Sequence, residues 1–136
     1  MTAEQKQAFL KKYYSHHGFN EHNGIRVMDV EDGKSVVAVT LAPESTNPHG
    51  NAHGGLIFSL CDVAIGVAAR SRGRDMVTQD ANIYFMRPGR NTETLTARGR
   101  VLREGRHTAV CEAEVFTDDG TLIAKSTASV YFLSAD

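Results

Sequence analysis

Asp62 is the residue in this chain whose type and position most need a chemical explanation. It is the only charged side chain between His53 and Arg70, within a run of apolar and small residues. A carboxylate in apolar surroundings costs several kcal/mol unless it is paired, and such burial raises its pKa. We therefore expect a buried Asp62 that acts as a nucleophile or general base, or that satisfies a nearby backbone or hydroxyl group.

Gly54 and Gly55 open the same run and provide a second chemical feature. Backbone N–H groups are unpaired at a helix N-terminus, where the macrodipole favours negative charge, and glycines let a ligand approach the backbone. The pair suits a carbonyl oxygen that develops negative charge. Two glycines also allow a sharp turn into a helix, and this simpler interpretation stays open.

The separation of Gly55 and Asp62 has a consequence for assembly. Asp62 lies seven residues further on, which is ~10 Å along a helix axis at 1.5 Å per residue. A short aspartate side chain does not span that distance. If both groups act on one carbonyl they come from different chains, with two copies of the helix running past each other in a two-fold dimer that has two identical sites.

The loop before the run carries Asn47, His49, Asn51 and His53. A neutral amide such as Asn47 can position a water molecule or donate to a developing oxyanion. Pro48 and the nearby glycines argue against a helix there, and no adjacent glutamate completes a zinc motif, so no metal is expected. Phosphate-loop and dinucleotide fingerprints are absent, so no cofactor is expected either. The remaining histidines considered, which are taken as surface or loop residues, are His16, His17 and His22.

The elements that must position these residues are predicted from local patterns. Thr2 and Gln5 fit a capping box and start a short amphipathic helix that ends at Gly18. Apolar runs on both sides of the dipeptide Asp32-Gly33 predict a β-hairpin. The run around Asp62 is too long for a strand and apolar on all sides, which predicts a central helix that is buried on most of its surface.

Three later stretches alternate with a period of two and predict strands with one inward face. The turns Pro88-Gly89, Glu104-Gly105 and Asp119-Gly120 are expected to join the strands into an antiparallel meander. The inward residues are often small, so the sheet can approach a helix closely. They are Leu95, Ala97, Gly99 and Val101, then Ala109, Cys111, Ala113 and Val115, then Leu122, Ala124, Ser126, Ala128, Val130 and Phe132.

Length and composition limit the remaining possibilities. The 136 residues suit one α+β domain spanning 1–136, and a net charge of −1 without a basic stripe argues against nucleic-acid and membrane partners. The N-terminus lacks an apolar signal region, and the apolar run is shorter than the ~20 residues of a bilayer span, so a cytoplasmic protein is expected. Cys61 and Cys111 are predicted to be buried thiols.

Three segments together resemble the hotdog-fold acyl-CoA thioesterases of the phenylacetate-pathway (PaaI-like) type. They are residues 47–55 (NPHGNAHGG), 58–64 (FSLCDVA) and 80–88 (DANIYFMRP). The resemblance covers nearly the whole chain. It implies a hotdog fold, in which a long antiparallel sheet wraps around one central helix, with an additional N-terminal helix. It also implies an acyl-CoA substrate and a homodimer with interfacial active sites, paired further into a tetramer.

The same resemblance assigns roles to individual residues. Asp62 corresponds to the nucleophile or general base, and the Gly55 amide of the partner chain corresponds to the group that polarises the thioester carbonyl. Asn47 corresponds to the residue that orients water or the leaving group, and Thr78 to a hydroxyl that helps hold the water. The implied substrate-binding residues are His53, Gly54, Phe58 and Arg87; Arg87 is a candidate for coenzyme A phosphate or for closing the sheet. Weaker candidates for the nucleotide end are Arg90, Arg103 and Arg106.

Two other functions remain open. A hotdog-fold hydratase or dehydratase would pair a histidine, His49 or His53, with an acid for proton transfer at carbon. A non-catalytic acyl-CoA-binding protein would share the fold without turnover. The Gly-Gly pair after His53 and the acid on the helix favour the thioesterase, which needs an oxyanion donor and an activated water or carboxylate but little protonation of its good leaving group.

Overall fold

Helix α3, Gly54–Arg70, packs against one face of an antiparallel sheet in the computed structural model, which describes residues 1–16 and 18–134. The strands are β1 (Ile25–Glu31), β2 (Lys34–Thr40), β3 (Met76–Phe85), β4 (Thr94–Glu104), β5 (Thr108–Phe116) and β6 (Leu122–Phe132). Two helices precede them, α1 (Ala3–Tyr14) and α2 (Gly18–Asn23). The predicted hotdog architecture, with an N-terminal helix, is confirmed.

The N-terminal helix begins as its capping residues predict. Thr2 Oγ1 accepts from the Gln5 N–H at 3.1 Å, and Gln5 Oε1 accepts from the Thr2 N–H at 2.9 Å. Helix α2 was not anticipated, because Gly18 was interpreted only as the end of α1. Its six residues contain no apolar periodicity from which a helix could be predicted. His17, one of the histidines considered above, lies outside the described residues.

The strand order β1-β2-β4-β5-β6-β3 corrects one part of the predicted meander. Three of the hairpins are confirmed, at Asp32-Gly33, Glu104-Gly105 and Asp119-Gly120, but Pro88-Gly89 does not form a hairpin between β3 and β4. Strand β3 pairs instead with β6 at the far edge of the sheet. Gly89 is buried, and its carbonyl accepts from the Ala52 N–H at 2.8 Å, so residues 86–93 cross over while attached to the loop before α3.

The predicted inward faces form the core, and their small residues let the sheet approach α3. Ala97, Ala113 and Ala124 are fully buried. Gly99 makes the closest approach: a β carbon there would lie 2.5 Å from the Ala64 carbonyl oxygen of α3. The Ser35 hydroxyl of β2 donates to the same carbonyl at 2.6 Å, so two strands contact the helix at one point.

Most residues of helix α3 are buried, as predicted, but the predicted burial of Asp62 is wrong for the single chain. The sheet covers one side of the helix and leaves an open strip, defined here as Gly55, Ser59 and Asp62. Gly55 and Asp62 are exposed and Ser59 is half-buried. The reason is geometric, because a helix lying on one sheet turns its opposite side away from that sheet.

Both cysteines are free and buried, as predicted. Burial raises the pKa of the Cys61 thiol to about 12 and that of Cys111 to about 11. Neither is a thiolate at neutral pH, which argues against a cysteine nucleophile. Within residues 1–16 and 18–134, no helix is both long enough and apolar enough to cross a bilayer.

Gly99→Ala is expected to lower the free energy of unfolding by about 3 kcal/mol, since the new methyl group would push β4 away from α3. Urea denaturation measures this. The control is Arg98→Ala, an exposed neighbour on the same strand, which should change the value by less than about 0.5 kcal/mol. Equal stability of the two variants would contradict the close contact.

Candidate active site

Asp62 and Thr78 form a hydrogen-bonded pair on the open side of the molecule. The Thr78 hydroxyl donates to Asp62 Oδ1 at 2.9 Å, and both residues are exposed. Strand β3 carries a bulge between Thr78 and Asp80, and beyond it Ala81 packs against the core. The sequence places Asp62 and Thr78 together only through the resemblance, and the structure brings them into contact.

A cleft of about 520 Å³ surrounds this pair. Phe58 and Val63 of α3 line it, so the acid stands beside an apolar wall, as a site for an acyl group requires. Helices α1 and α2 close the other side with Tyr14 and Phe19. Phe58, one of the implied substrate-binding residues, therefore lines the same cleft as Asp62.

An ion-pair network that the sequence analysis missed closes one end of this cleft. Arg70 donates to Asp75 Oδ1 at 2.7 Å, to the Tyr14 hydroxyl at 2.9 Å and to the Met76 carbonyl at 3.1 Å. Burial raises the pKa of Tyr14, so its phenol is neutral. Gly66 provides the room, because a β carbon there would lie 2.9 Å from Arg70 Nη1. The sequence signal was weak, since Tyr14 and Arg70 are 56 residues apart.

The N-terminus of α3 is the second part of the candidate site. His53 is the N-cap residue, and its Nδ1 accepts the Gly55 N–H at 2.8 Å. Both residues line a cleft of about 580 Å³, which shares Phe19 and Ser59 with the Asp62 cleft. The predicted amide donor is therefore at a helix N-terminus, and its hydrogen bond is made to the chain's own imidazole.

Asn47 and Arg87 define a third region, a cleft of about 330 Å³ that Gly54 also lines. Asn47 Oδ1 accepts from the N–H groups of His49 at 2.9 Å and Asn51 at 3.2 Å, so this amide shapes the loop before α3. Arg87 donates to the Leu122 carbonyl at 3.1 Å, which ties the end of β3 to the start of β6. This contact is of the kind that sheet closure, one of the two roles predicted for Arg87, requires.

The ring of Phe85 covers the first glycine of the pair, since a β carbon on Gly54 would lie 3.3 Å from Phe85 Cζ. Arg90, Arg103 and Arg106 are exposed on the surface. In the part of the chain that the structure describes, no group of three His, Cys, Asp or Glu side chains is arranged to hold a metal ion.

A single chain therefore separates the predicted residues into three groups. Asp62, Thr78 and Phe58 share one cleft, His53 and Gly55 a second, and Asn47, Gly54 and Arg87 a third. The acid and the amide lie on the same open strip of α3, about two turns apart. The chemistry that the strip can support is base or nucleophilic catalysis at one end and carbonyl polarisation at the other.

Comparison with known proteins identifies the family. The model of the thioesterase superfamily matches residues 49–124. Acyl-coenzyme A thioesterase PaaI of Escherichia coli is 35% identical over 101 residues, which are 74% of this chain and 72% of that protein. The solved E. coli PaaI structure superposes with a TM-score of 0.91 at 27% identity, covering 98% of this chain and 97% of that one.

Structures of two streptococcal proteins add detail. A Streptococcus mutans protein bound to acetyl CoA has a TM-score of 0.80 at 30% identity, covering 89% of this chain and 95% of that one. A protein from Streptococcus pneumoniae described as a hypothetical thioesterase, solved with an aspartate replaced by alanine, has a TM-score of 0.76 at 30% identity, covering 81% of this chain and 91% of that one. In a second structure of that protein, alanine replaces a threonine sixteen positions further along. This chain belongs to the thioesterase superfamily.

Proposed function

We propose that this protein is an acyl-CoA thioesterase of the PaaI type, with residues 1–136 acting as one hotdog domain. The observation that carries the proposal is the hydrogen bond between Thr78 and Asp62, exposed beside an apolar cleft. The same spacing of sixteen residues separates the aspartate and threonine replaced in the S. pneumoniae protein. Coenzyme A binding by the S. mutans relative supports the substrate class.

Asp62 acts as the nucleophile or general base, and Thr78 positions it. One carboxylate oxygen accepts the Thr78 hydroxyl, which restrains the orientation of the carboxylate beside the cleft. Either the carboxylate attacks the thioester carbon, or it takes the proton of a water molecule that attacks. In both cases the C–S bond breaks, the thiolate of coenzyme A leaves, and water supplies the oxygen of the free acid.

The Gly55 N–H of the partner chain polarises the carbonyl in this mechanism. The rise of α3 puts Gly55 and Asp62 of one chain ~10 Å apart, too far for one carbonyl to contact both. Asn47 orients the water or the leaving group, Gly54, Phe58 and Arg87 hold the substrate, and His53 contacts the Gly55 N–H. Two identical sites per dimer follow from the symmetry.

The exposed edge of the sheet supports a homodimer. Strand β3 pairs with β6 on one side only, and an unpaired edge strand tends to be covered by another chain. Several large apolar side chains on and just after it are exposed, namely Val77, Tyr84, Phe85 and Met86. We extend the proposal to a tetramer of two dimers, because Val110 and Tyr131 leave apolar surface on the outer face of the sheet.

Asp62→Asn is expected to lower kcat by about 10²–10³-fold on every accepted acyl-CoA, because the amide is neither a base nor a nucleophile. Thiol release from a panel of aryl- and fatty-acyl-CoA substrates measures the activity. The control is Asp32→Asn, the same change at an exposed acid in the β1–β2 turn, and it should retain full activity. Hydration of enoyl-CoA, or tight binding without turnover, would favour the two alternative functions instead.

Thr78→Val is expected to lower kcat about tenfold, since valine keeps the shape of threonine but cannot donate to Asp62. Thr78→Ser restores the hydroxyl and should recover most of the activity. Measuring kcat and KM separately for both variants tests the positioning role. If the valine variant were as active as the serine variant, Thr78 would have no part in the reaction.

A mixed dimer tests whether each site is shared between chains. Asp62→Asn and Gly55→Pro, which removes the N–H at a position in the first helical turn where proline is tolerated, should each give an inactive homodimer. Refolding them together should restore about a quarter of the wild-type activity, because half of the dimers are mixed and each has one intact site. Sites built within one chain would give no recovery.

A further inference from the structure

The Gly55 N–H already has a hydrogen-bond acceptor within the chain, the imidazole of His53. Nδ1 of His53 accepts this N–H at 2.8 Å, so that nitrogen carries no proton while the hydrogen bond is made. The ring lies over Gly55 closely enough that a β carbon there would be 3.0 Å from Nδ1. Where the proposed mechanism needs a carbonyl oxygen, the free chain holds an imidazole nitrogen.

One N–H cannot make a full-strength hydrogen bond to two acceptors at once, so the imidazole and the thioester carbonyl must compete for it. We infer that His53 is a displaceable cap, which satisfies the Gly55 N–H in the unliganded protein and releases it to the acyl carbonyl. This inference rests on the proposed function. It makes His53 a positioning residue that acts through the Gly55 amide.

The surroundings of His53 allow the ring to leave while its backbone stays in place. The His53 N–H donates to the Ser45 carbonyl at 2.8 Å, and its own carbonyl accepts from Leu56 at 3.0 Å and Ile57 at 3.1 Å. These bonds hold the start of α3 whichever way the side chain turns. His53 is exposed and borders an open cleft, so a side-chain rotation alone uncovers the amide.

The effect of removing the His53 side chain on acyl-CoA affinity has opposite signs for a competing cap and for a residue that contacts the substrate. An N-cap side chain typically contributes about 1 kcal/mol, which corresponds to about fivefold in an equilibrium constant. Removing the cap should therefore tighten acyl-CoA binding by about this factor. If His53 instead held the carbonyl itself, its removal would weaken binding.

Nuclear magnetic resonance can detect the cap directly in ¹⁵N-labelled protein. A scalar coupling across the hydrogen bond between Gly55 N and His53 Nδ1 is expected in the free protein. It should disappear on saturation with a non-hydrolysable acyl-CoA analogue in which a methylene group replaces the thioester sulfur but the carbonyl remains. Persistence of the coupling in the complex would overturn the inference.

Calorimetric titration of the same analogue into two variants provides the second test. His53→Ala should bind it about fivefold more tightly than wild type. His53→Asn, whose side chain also caps helices well, should restore the wild-type Kd. A weaker Kd in the alanine variant would mean that His53 contacts the substrate and would overturn the inference.

The two proposals fail in different ways. Hydrolysis of acyl-CoA by wild type, together with a coupling that survives ligand binding, contradicts the cap and leaves the thioesterase intact. Loss of the coupling on ligand binding, with no hydrolysis of any acyl-CoA, contradicts the thioesterase and supports the cap.

Discussion

The contact between strand β4 and helix α3 at Gly99 and Ala64 determines how the candidate site is built. Because glycine has no side chain, the strand backbone reaches the helix backbone, and Ser35 fixes the approach with a hydrogen bond to the same carbonyl. A helix held this close to the concave side of a sheet has its apolar surface covered on that side alone. The opposite side stays open, and there the chain carries Gly55, Ser59 and Asp62 in place of large apolar residues.

The helical rise then separates the two chemical functions of this open strip. A strip two turns long can carry a donor at its N-terminus and an acid further along, but it cannot bring both to one carbonyl. A dimer in which the two copies of α3 run antiparallel reverses the strip in the partner, so that donor and acid meet twice. The exposed edge of β3 lies next to the acid, because Thr78 of β3 is the residue that contacts Asp62. The surface that favours assembly and the surface that holds the acid are therefore parts of one region.

Local patterns in the sequence predicted most of the helices and strands. The strand order and the exposure of individual side chains depend on long-range packing, which local patterns do not specify. Alternation of period two placed Ala109, Cys111 and Ala113 correctly, since strand neighbours point to opposite sides whatever the topology. The role of Pro88-Gly89 was misjudged, because a turn dipeptide does not specify which edge of the sheet the preceding strand will join. Asp62 was assigned to the right helix but the wrong environment, since its exposure depends on which side of the helix the sheet covers. The contact between Tyr14 and Arg70 depends on the packing of α1 and leaves no local signal.

Three polar groups of the candidate site have a hydrogen-bond partner within the chain itself. Thr78 donates to Asp62, and His53 accepts the Gly55 N–H. The side-chain oxygen of Asn47 accepts from backbone N–H groups of its loop. Satisfied groups stabilise the site, because unpaired polar groups cost free energy when a neighbouring chain buries them. The same partners set the specificity of binding, since a ligand gains only the difference between its own hydrogen bonds and those that it replaces. At Gly55, the carbonyl oxygen of a flexible acyl-CoA can replace the existing hydrogen bond at little cost. The acceptor that it displaces is an exposed side chain, and the helix backbone need not move.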